Sequence, residues 1–192
     1  MDGEAVSVRH SEYELLPGDC YYTPAWVTEA LLDVEAFKEP IWEPACGADH
    51  MLDVFWGRGM DASGSDLDTN CDFLSEMQGL GHRSIITNPP YSNGLAERFV
   101  RHALDLTKPV NGKVAMLLPL AWDSAKTRRD LFADHPAFKA KYTLTQRIRW
   151  ENLEQKKNGP SQNHAWFVWE WPLAEINWKP RCGYLPATGA QE

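Results

Sequence analysis

Short apolar runs that alternate with helical patterns constrain the fold of this chain more than any other feature of its sequence. The predicted strands are 41–43, 60–66, 84–87, 113–118, 143–149 and 164–171. The predicted helices are 24–36, 48–57, 95–106 and 125–133. Strands that alternate with helices imply a mostly parallel sheet covered on both faces. The last two strands have no helix between them, so we expect a closing antiparallel hairpin.

The composition is that of a globular protein. Of its 192 residues, 43% are hydrophobic and 24% are charged, which suits one domain with a core of its own. The acidic, polar start does not resemble a signal peptide, and no apolar run approaches the roughly 18 to 20 residues of a membrane span. The four cysteines are widely spaced, which favours reduced thiols over disulfides or a metal site, and hence a cytoplasmic protein.

Domain organisation is predicted from where periodic patterns begin and end. Residues 1–18 lack periodicity and are expected to form an arm, 19–175 a single domain, and 176–192 a tail. About 15 residues separate the last two predicted strands, so no separate target-recognition domain is expected. Sequence specificity would then be short, or supplied by a partner or a homodimer.

The sequence Asn88-Pro89-Pro90-Tyr91 follows a predicted strand and carries the most specific chemical signal. Two prolines fix the backbone and remove two N–H donors, which leaves carbonyl groups facing one way. The Asn88 side-chain oxygen and the Pro89 carbonyl can each accept a proton from one amino group. This draws the amine toward sp3 geometry and frees its lone pair, while Tyr91 offers an aromatic face for a base. These four residues are the predicted catalytic residues.

With this motif the chain resembles the small adenine-specific DNA methyltransferases of phages and prophages, which are class I S-adenosylmethionine-dependent enzymes. The resemblance covers about residues 20 to 171. Its motifs occur in the order Tyr22-Thr23-Pro24, Glu43-Pro44-Ala45-Cys46-Gly47, Gly64-Ser65-Asp66, Cys71-Asp72-Phe73-Leu74 and Asn88-Pro89-Pro90-Tyr91. The resemblance implies a Rossmann-like α/β fold with a seven-stranded sheet. It also implies methyl transfer to N6 of adenine in DNA, with base flipping and S-adenosylhomocysteine as product, in a bacterial or phage-infected cell.

The resemblance further implies a set of residues that bind the cofactor. The expected residues are Tyr22, Thr23, Pro24, Glu43, Pro44, Ala45, Cys46, Gly47, Asp66, Asp72, Phe73 and Asn88. Asp66 is expected to accept hydrogen bonds from the ribose hydroxyls, with Asp68 as the competing candidate. Asp72 is expected at the adenine amino group, although it could simply cap a helix. Asp49 stands where the family often has a second glycine.

The net charge of −8 argues against a uniformly basic DNA-binding surface. Lys126 to Lys157, however, contains nine Lys or Arg and four Asp or Glu, so this basic segment carries +5. It could contact DNA locally, or it could be a solvated surface of mixed charge. The candidate substrate-binding residues are Lys126, Arg128, Arg129, Arg147, Arg149, Trp150, Asn163 and His164. Trp166 and Trp169 are expected in the core.

Other functions remain open at this point. The same motif occurs in enzymes that methylate guanine in ribosomal RNA or glutamine in proteins. N4 of cytosine is another possible target, although that subclass more often has serine in place of this asparagine. A catalytically idle subunit that binds cofactor or DNA belongs to a different class, but such a chain is expected to lose part of the motif. A DNA substrate could be duplex or single-stranded, and a single strand avoids the cost of extruding a base.

Overall fold

The structure, a computed structural model, describes residues 21–77, 79, 81–150, 162–172 and 179–186. Within these residues, seven strands form one sheet in the order β2-β1-β3-β4-β6-β5-β7. The strands are β1 (Ile41–Glu43), β2 (Ala62–Gly64), β3 (Ser84–Thr87), β4 (Lys113–Pro119), β5 (Phe138–Leu144), β6 (His164–Glu170) and β7 (Arg181–Leu185). The helices are α1 (Ala25–Leu32), α2 (His50–Gly57) and α3 (Leu95–Thr107).

All neighbouring strands are parallel except β6, which runs antiparallel to both β4 and β5. The β5–β6 pair is the predicted closing hairpin, and the Rossmann-like fold with seven strands is confirmed. The predicted tail, 176–192, contains β7, which pairs with β5 and extends the sheet by one strand. The predicted arm, 1–18, lies outside the described residues.

The core has two layers, one on each face of the sheet. Alternate residues of β4 divide between them: Val114 and Met116 face the layer that contains α3, whereas Ala115 and Leu117 face the layer that contains α1 and α2. Helix α3 buries an apolar stripe at helical spacing against the first layer. The expected core residues Trp166 and Trp169 are fully buried, and each indole N–H donates to a backbone carbonyl.

A buried ion cluster lies at the amino ends of the parallel strands, opposite the ends that carry the motifs. Glu35 accepts hydrogen bonds from Lys113 (2.7 Å), Lys139 (3.1 Å), the Tyr142 hydroxyl (2.7 Å) and Arg181. Burial alone raises the pKa of Glu35, but the hydrogen bonds from Lys113 and Tyr142 outweigh it and hold that pKa below its ordinary value. The cluster ties the segment after α1 to β4, β5 and β7.

Several predicted boundaries were wrong. The fifth strand was expected at 143–149, but β5 spans Phe138–Leu144. It begins earlier because Lys139 and Lys141 can lie in a strand when each is paired with a carboxylate. The predicted basic helix, 125–133, is a 3₁₀ helix, Lys126–Leu131. Helix α1 begins one residue after Pro24 and ends at Leu32 rather than near 36.

Candidate active site

A cavity of about 340 Å³ opens at the carboxyl ends of β1, β2 and β3. Every predicted cofactor-binding residue lines it except Pro24, which is buried at the start of α1. Of the predicted catalytic residues, Asn88 and Pro90 line it, whereas the buried Pro89 and the part-exposed Tyr91 do not. The motifs that are separate in the sequence therefore meet at one place. This is where ligands bind in open α/β sheets.

The loop between β1 and α2 forms one wall of the cavity. Gly47 has φ 52° and Asp49 has φ 63°, so both adopt the left-handed conformation that glycine favours. Glycine is the residue that adopts this conformation most readily, and Asp49 adopts it here with a side chain. The start of α2 at His50 borders the cavity, and the N-terminus of a helix suits a carboxylate of a ligand.

The Asp66 carboxylate joins this loop to the segment after β2. One oxygen accepts from the Gly47 N–H (2.9 Å) and the other from the Asp68 N–H (3.1 Å). Each oxygen keeps a second lone pair for a ligand hydroxyl. Asp68 also lines the cavity, so the competition between the two acids stays open. Leu67 lies between them with 71% of its surface exposed, which leaves an apolar side chain beside the cavity.

Asp72 caps a short turn, which was the alternative interpretation of this residue. Its side chain accepts from the Leu74 N–H (3.0 Å) at the start of a 3₁₀ helix. It also lines the cavity, so the cap does not exclude a ligand contact. The next residue, Phe73, is 2% exposed and packs edge-on against Trp42, which gives this side of the cavity an apolar wall.

Glu43 is a buried carboxyl group on the cavity wall. It is 2% exposed, and its Oε2 atom has no hydrogen-bond partner among the described residues. Burial and the neighbouring carboxylates of Asp49 and Asp66 raise the pKa of Glu43 well above its ordinary value. Burial, with Asp49 beside it, also raises the pKa of the Cys46 thiol to about 12, so this thiol is protonated and unreactive at neutral pH.

Asn88 stands at the end of β3 with its amide group held in one orientation. Its Nδ2 donates to the Thr23 hydroxyl (3.1 Å) and to the Tyr21 carbonyl (3.3 Å). The Tyr91 hydroxyl donates to Asn88 Oδ1 and also lies 3.1 Å from the Leu117 carbonyl oxygen. Thr23 lies one residue before Pro24, the N-cap of α1, and its hydroxyl accepts from Asn88. The Oδ1 atom keeps one lone pair for another donor.

Beside Asn88, the rings of Tyr21, Tyr91, Trp150 and His164 form an aromatic cluster. Ring centroids are 5.2 Å apart for Tyr21 and Trp150, 5.3 Å for Trp150 and His164, and 6.1 Å for Tyr91 and His164. Tyr21 and Tyr91 are near-parallel, with centroids 6.4 Å apart. The structure thus brings two candidate substrate residues, Trp150 and His164, to the predicted catalytic Tyr91.

Most cations of the basic segment that the structure describes are paired with carboxylates. Arg128 contacts Glu97 and stacks on Trp122, and Arg129 binds Asp134. Lys139 and Lys141 are paired as well. The Arg128 pair is part-buried, whereas the Arg129 side chain is 70% exposed and its pair with Asp134 lies at the surface. Lys126 opens the same 3₁₀ helix, away from the cavity lining.

Near β6, the candidate Asn163 accepts a hydrogen bond from Arg147 Nε (3.0 Å). That contact orients the amide of Asn163 toward Arg147. Arg149 precedes Trp150 of the aromatic cluster, so Arg147 and Arg149 are the candidate cations nearest to it in sequence. The remaining cations of the basic segment, Lys156 and Lys157, lie outside the described residues.

Sequence reasoning missed several residues that line the cavity. These are Tyr21, His50, Met51, Leu67, Ser92, Leu95 and Phe99. Leu95 and Phe99 are four residues apart at the start of α3, a spacing that indicates one helix face but not what that face covers. His50 stacks on Tyr22, with centroids 4.9 Å apart, a contact between segments 28 residues apart that no local pattern indicates.

Two further observations concern the described residues as a whole. None of the helices described combines the length and the apolarity needed to cross a membrane. The thiols of Cys46, Cys71 and Cys182 form no disulfide among the described residues.

No protein-family model and no curated protein matches this chain. Several solved structures match this chain. A protein of Listeria monocytogenes assigned to the class I S-adenosylmethionine-dependent methyltransferases is 17% identical, with a TM-score of 0.58 over 85% of this chain and 65% of its own. The M protein of the type I restriction enzyme EcoKI is 16% identical, with a TM-score of 0.51 over 86% of this chain and 48% of its own.

This chain spans less than two thirds of the length of either structure. At these identities the likeness concerns the fold. The strand order, the antiparallel β6 and the cavity at the carboxyl ends of the strands agree with it. The chain has the Rossmann-like fold of the class I methyltransferases.

Proposed function

We propose that this protein transfers a methyl group from S-adenosylmethionine to the exocyclic N6 amino group of adenine in DNA. The observation that carries the proposal is the Asn88 amide at the cavity wall. Its donors are occupied by Thr23 and Tyr21, so its oxygen is presented as an acceptor. An acceptor beside a ligand cavity, on a proline-fixed loop, is the arrangement that activation of an amine requires.

The cavity suits S-adenosylmethionine in chemistry and size. Its volume of about 340 Å³ lies within the roughly 300–1,000 Å³ of ligand pockets. Three acidic side chains on its lining, Asp66, Asp68 and Asp72, complement a cationic ligand. Asp66 would hold the ribose hydroxyls, and the exposed Leu67 and buried Phe73 would contact the adenine ring. The cofactor, when bound, supplies an electrophilic methyl group on a sulfonium.

The residues of the chain would act on the target amine rather than on the cofactor. Asn88 Oδ1 and the Pro89 carbonyl would each accept one N–H of the amino group, which localises the nitrogen lone pair for attack on the methyl group. The nitrogen becomes positively charged on transfer and loses a proton afterwards, so no base is needed before attack. The Tyr91 hydroxyl would keep Asn88 Oδ1 in place.

Two observations support adenine in DNA as the target. The first is the resemblance of the motif order to adenine-specific DNA methyltransferases. The second is the structural likeness to the EcoKI M protein, an adenine N6 methyltransferase. The aromatic cluster next to Asn88 would receive a planar base.

The test is transfer of labelled methyl from S-adenosylmethionine to unmethylated DNA, with nucleoside analysis of the product. We expect N6-methyladenine with the wild type and none with Asn88→Ala, whose cofactor affinity by calorimetry should stay within a few-fold of wild type. The matched control is Asn93→Gly, at an exposed left-handed position in the same loop, which should remain active.

Three outcomes would contradict the proposal in different ways. N6-methyladenine formed by Asn88→Ala would remove Asn88 from the chemistry. Label at N4 of cytosine would change the target base. Cofactor binding without any label in DNA would redirect the search to RNA or protein substrates.

A further inference from the structure

We infer that the preferred substrate is DNA in which the target adenine is already unpaired, as in a single strand, and that the aromatic cluster stacks on that base. This inference rests on the proposed function and deepens it by naming the substrate class. Three observations carry it: the geometry of the aromatic cluster, a buried polar atom within it, and the pairing of the basic residues.

The aromatic cluster draws its rings from four separate segments. Tyr21 precedes α1, Tyr91 follows β3, Trp150 follows β5, and His164 begins β6. Tyr21 and Trp150 are part-exposed, so the cluster is open to solvent on one side. Stacking on aromatic side chains is how proteins hold bases of single strands, because every base has a π-face. The cluster also contacts Asn88 through the Tyr91 hydroxyl, so a base stacked there lies next to the amine-binding oxygen.

His164 adds a buried imidazole to the aromatic cluster, with the Gln162 backbone as a hydrogen-bonding neighbour of its ring. The side chain is 3% exposed, and its Nδ1 atom has no hydrogen-bond partner in the described part of the chain. Desolvation lowers the pKa of His164 to about 4, so the imidazole is neutral at pH 7, with one donor and one acceptor nitrogen. Buried polar atoms are ordinarily paired, and the hydrogen-bonding edge of a base offers both kinds of partner.

The charge of the protein disfavours a mode of binding that depends on duplex phosphates. Duplex binding gains much of its strength from lysines and arginines that neutralise phosphates. Here Arg128, Lys139 and Lys141 each pair with a carboxylate of the protein in part-buried positions, whereas Arg129 pairs with Asp134 at the surface, and the net charge is −8. A substrate that is bound through its bases needs fewer contacts between lysines or arginines and phosphates. Contacts of this kind can form only with bases that are not paired with a partner strand.

Binding tests the inference without relying on catalysis. Fluorescence anisotropy would compare labelled (dA)20, its duplex with (dT)20, and an abasic 20-mer. We expect (dA)20 to bind at least about tenfold more tightly than either of the others. Its affinity should depend weakly on salt, with a log–log slope no steeper than about −2, as for three phosphates on a single strand. Equal or tighter binding of the duplex, or of the abasic strand, would overturn the inference.

Substitution of Trp150 ties the preference to the aromatic cluster. Trp150→Ala should weaken (dA)20 binding by about 5- to 150-fold, the range for loss of one stacked base. Trp150→Phe should recover most of it. Trp56→Ala is the matched control, because Trp56 is 48% exposed and its indole binds Ala62 at the opposite end of the parallel strands. Equal effects of Trp150→Ala and Trp56→Ala would overturn the assignment.

Methyl transfer then separates the inference from the proposed function. The substrates are unmethylated genomic DNA, either native or heat-denatured, in the same buffer. At least tenfold more N6-methyladenine in the denatured sample is expected. Equal or greater labelling of the native sample would refute the substrate preference while leaving the proposed function intact. No labelling of either, with selective binding of (dA)20 retained, would refute the proposed function and leave the single-strand site standing.

Discussion

Replacing Glu43 by glutamine should abolish a proton release that accompanies cofactor binding. In the free protein, burial and the carboxylates of Asp49 and Asp66 hold the pKa of Glu43 well above 4.5. A cationic ligand in the cavity favours the ionised carboxylate and so lowers that pKa. Between the two pKa values, binding therefore expels up to about one proton, and the Kd for S-adenosylmethionine falls by up to about tenfold per pH unit.

Calorimetry in buffers of different ionisation enthalpy counts the protons released. The wild type should release up to about one proton per cofactor bound in the window above pH 4.5, whereas Glu43→Gln should release close to none and bind with an affinity that is flat in pH. Glu29→Gln, on the part-buried surface of α1, is the matched control and should behave as wild type. The same proton count for wild type and Glu43→Gln would refute the reasoning.

The raised pKa of Glu43 also fixes the sign of its effect on stability. A carboxyl whose pKa is higher in the folded state stabilises that state most at and below the unfolded pKa of about 4.5. Its contribution is lost as the pH rises through the folded pKa. Relative to Glu43→Gln, the free energy of unfolding of the wild type should therefore decline as the pH rises above 4.5. Urea denaturation at several pH values measures this difference, and a difference that grows with pH in favour of the wild type would contradict it.

Two other substitutions test the positions of Asn88 and of the first loop. Thr23→Val leaves Asn88 Nδ2 with only its 3.3 Å contact to the Tyr21 carbonyl. It should lower the free energy of unfolding by about 1–3 kcal/mol and kcat by at least about tenfold, as urea denaturation and steady-state kinetics would show. Asp49→Gly removes a side chain from a left-handed position and should raise the free energy of unfolding by about 0.5–1 kcal/mol; a stability loss would refute this account.

The part of the fold and site nearest the cofactor could be predicted because its signals are local. The apolar runs at 41–43 and 84–87 coincide with β1 and β3, since each is a short buried strand that ends at a polar motif. The motif residues follow those strands directly. Once the strands are parallel, their carboxyl ends bring Glu43, Asp66 and Asn88 to one cavity.

The remainder depends on contacts between distant residues. Lys139 and Lys141 obscure β5 in the sequence, and only their partners, Glu170 and Asp123, explain why charged residues alternate along a strand. Arg128 likewise became a candidate phosphate ligand because it lies in the basic segment. Its guanidinium instead donates a hydrogen bond to Glu97, 31 residues away. Long-range pairs of this kind leave no periodic signal.

Thr23 is a residue of the site whose contact could likewise not be predicted from the neighbouring sequence. Its position before Pro24 fits a helix cap, yet its hydroxyl serves Asn88, 65 residues later. The local rule for caps was outweighed by a tertiary hydrogen bond. Nothing in the neighbouring sequence distinguishes these two uses of a hydroxyl.

The reversed direction of β6 has a consequence for how such a protein can diversify. β5 ends at Leu144 and β6 begins at His164, both at the carboxyl end of β4, so the connection between them leaves from and returns to the substrate side. A parallel β6 would have sent this connection across the sheet. A change in the length of the 145–163 segment would therefore alter the rim on the cavity side without moving either strand. The half of the domain built on β1 and β2, which lines the cavity, need not change with it.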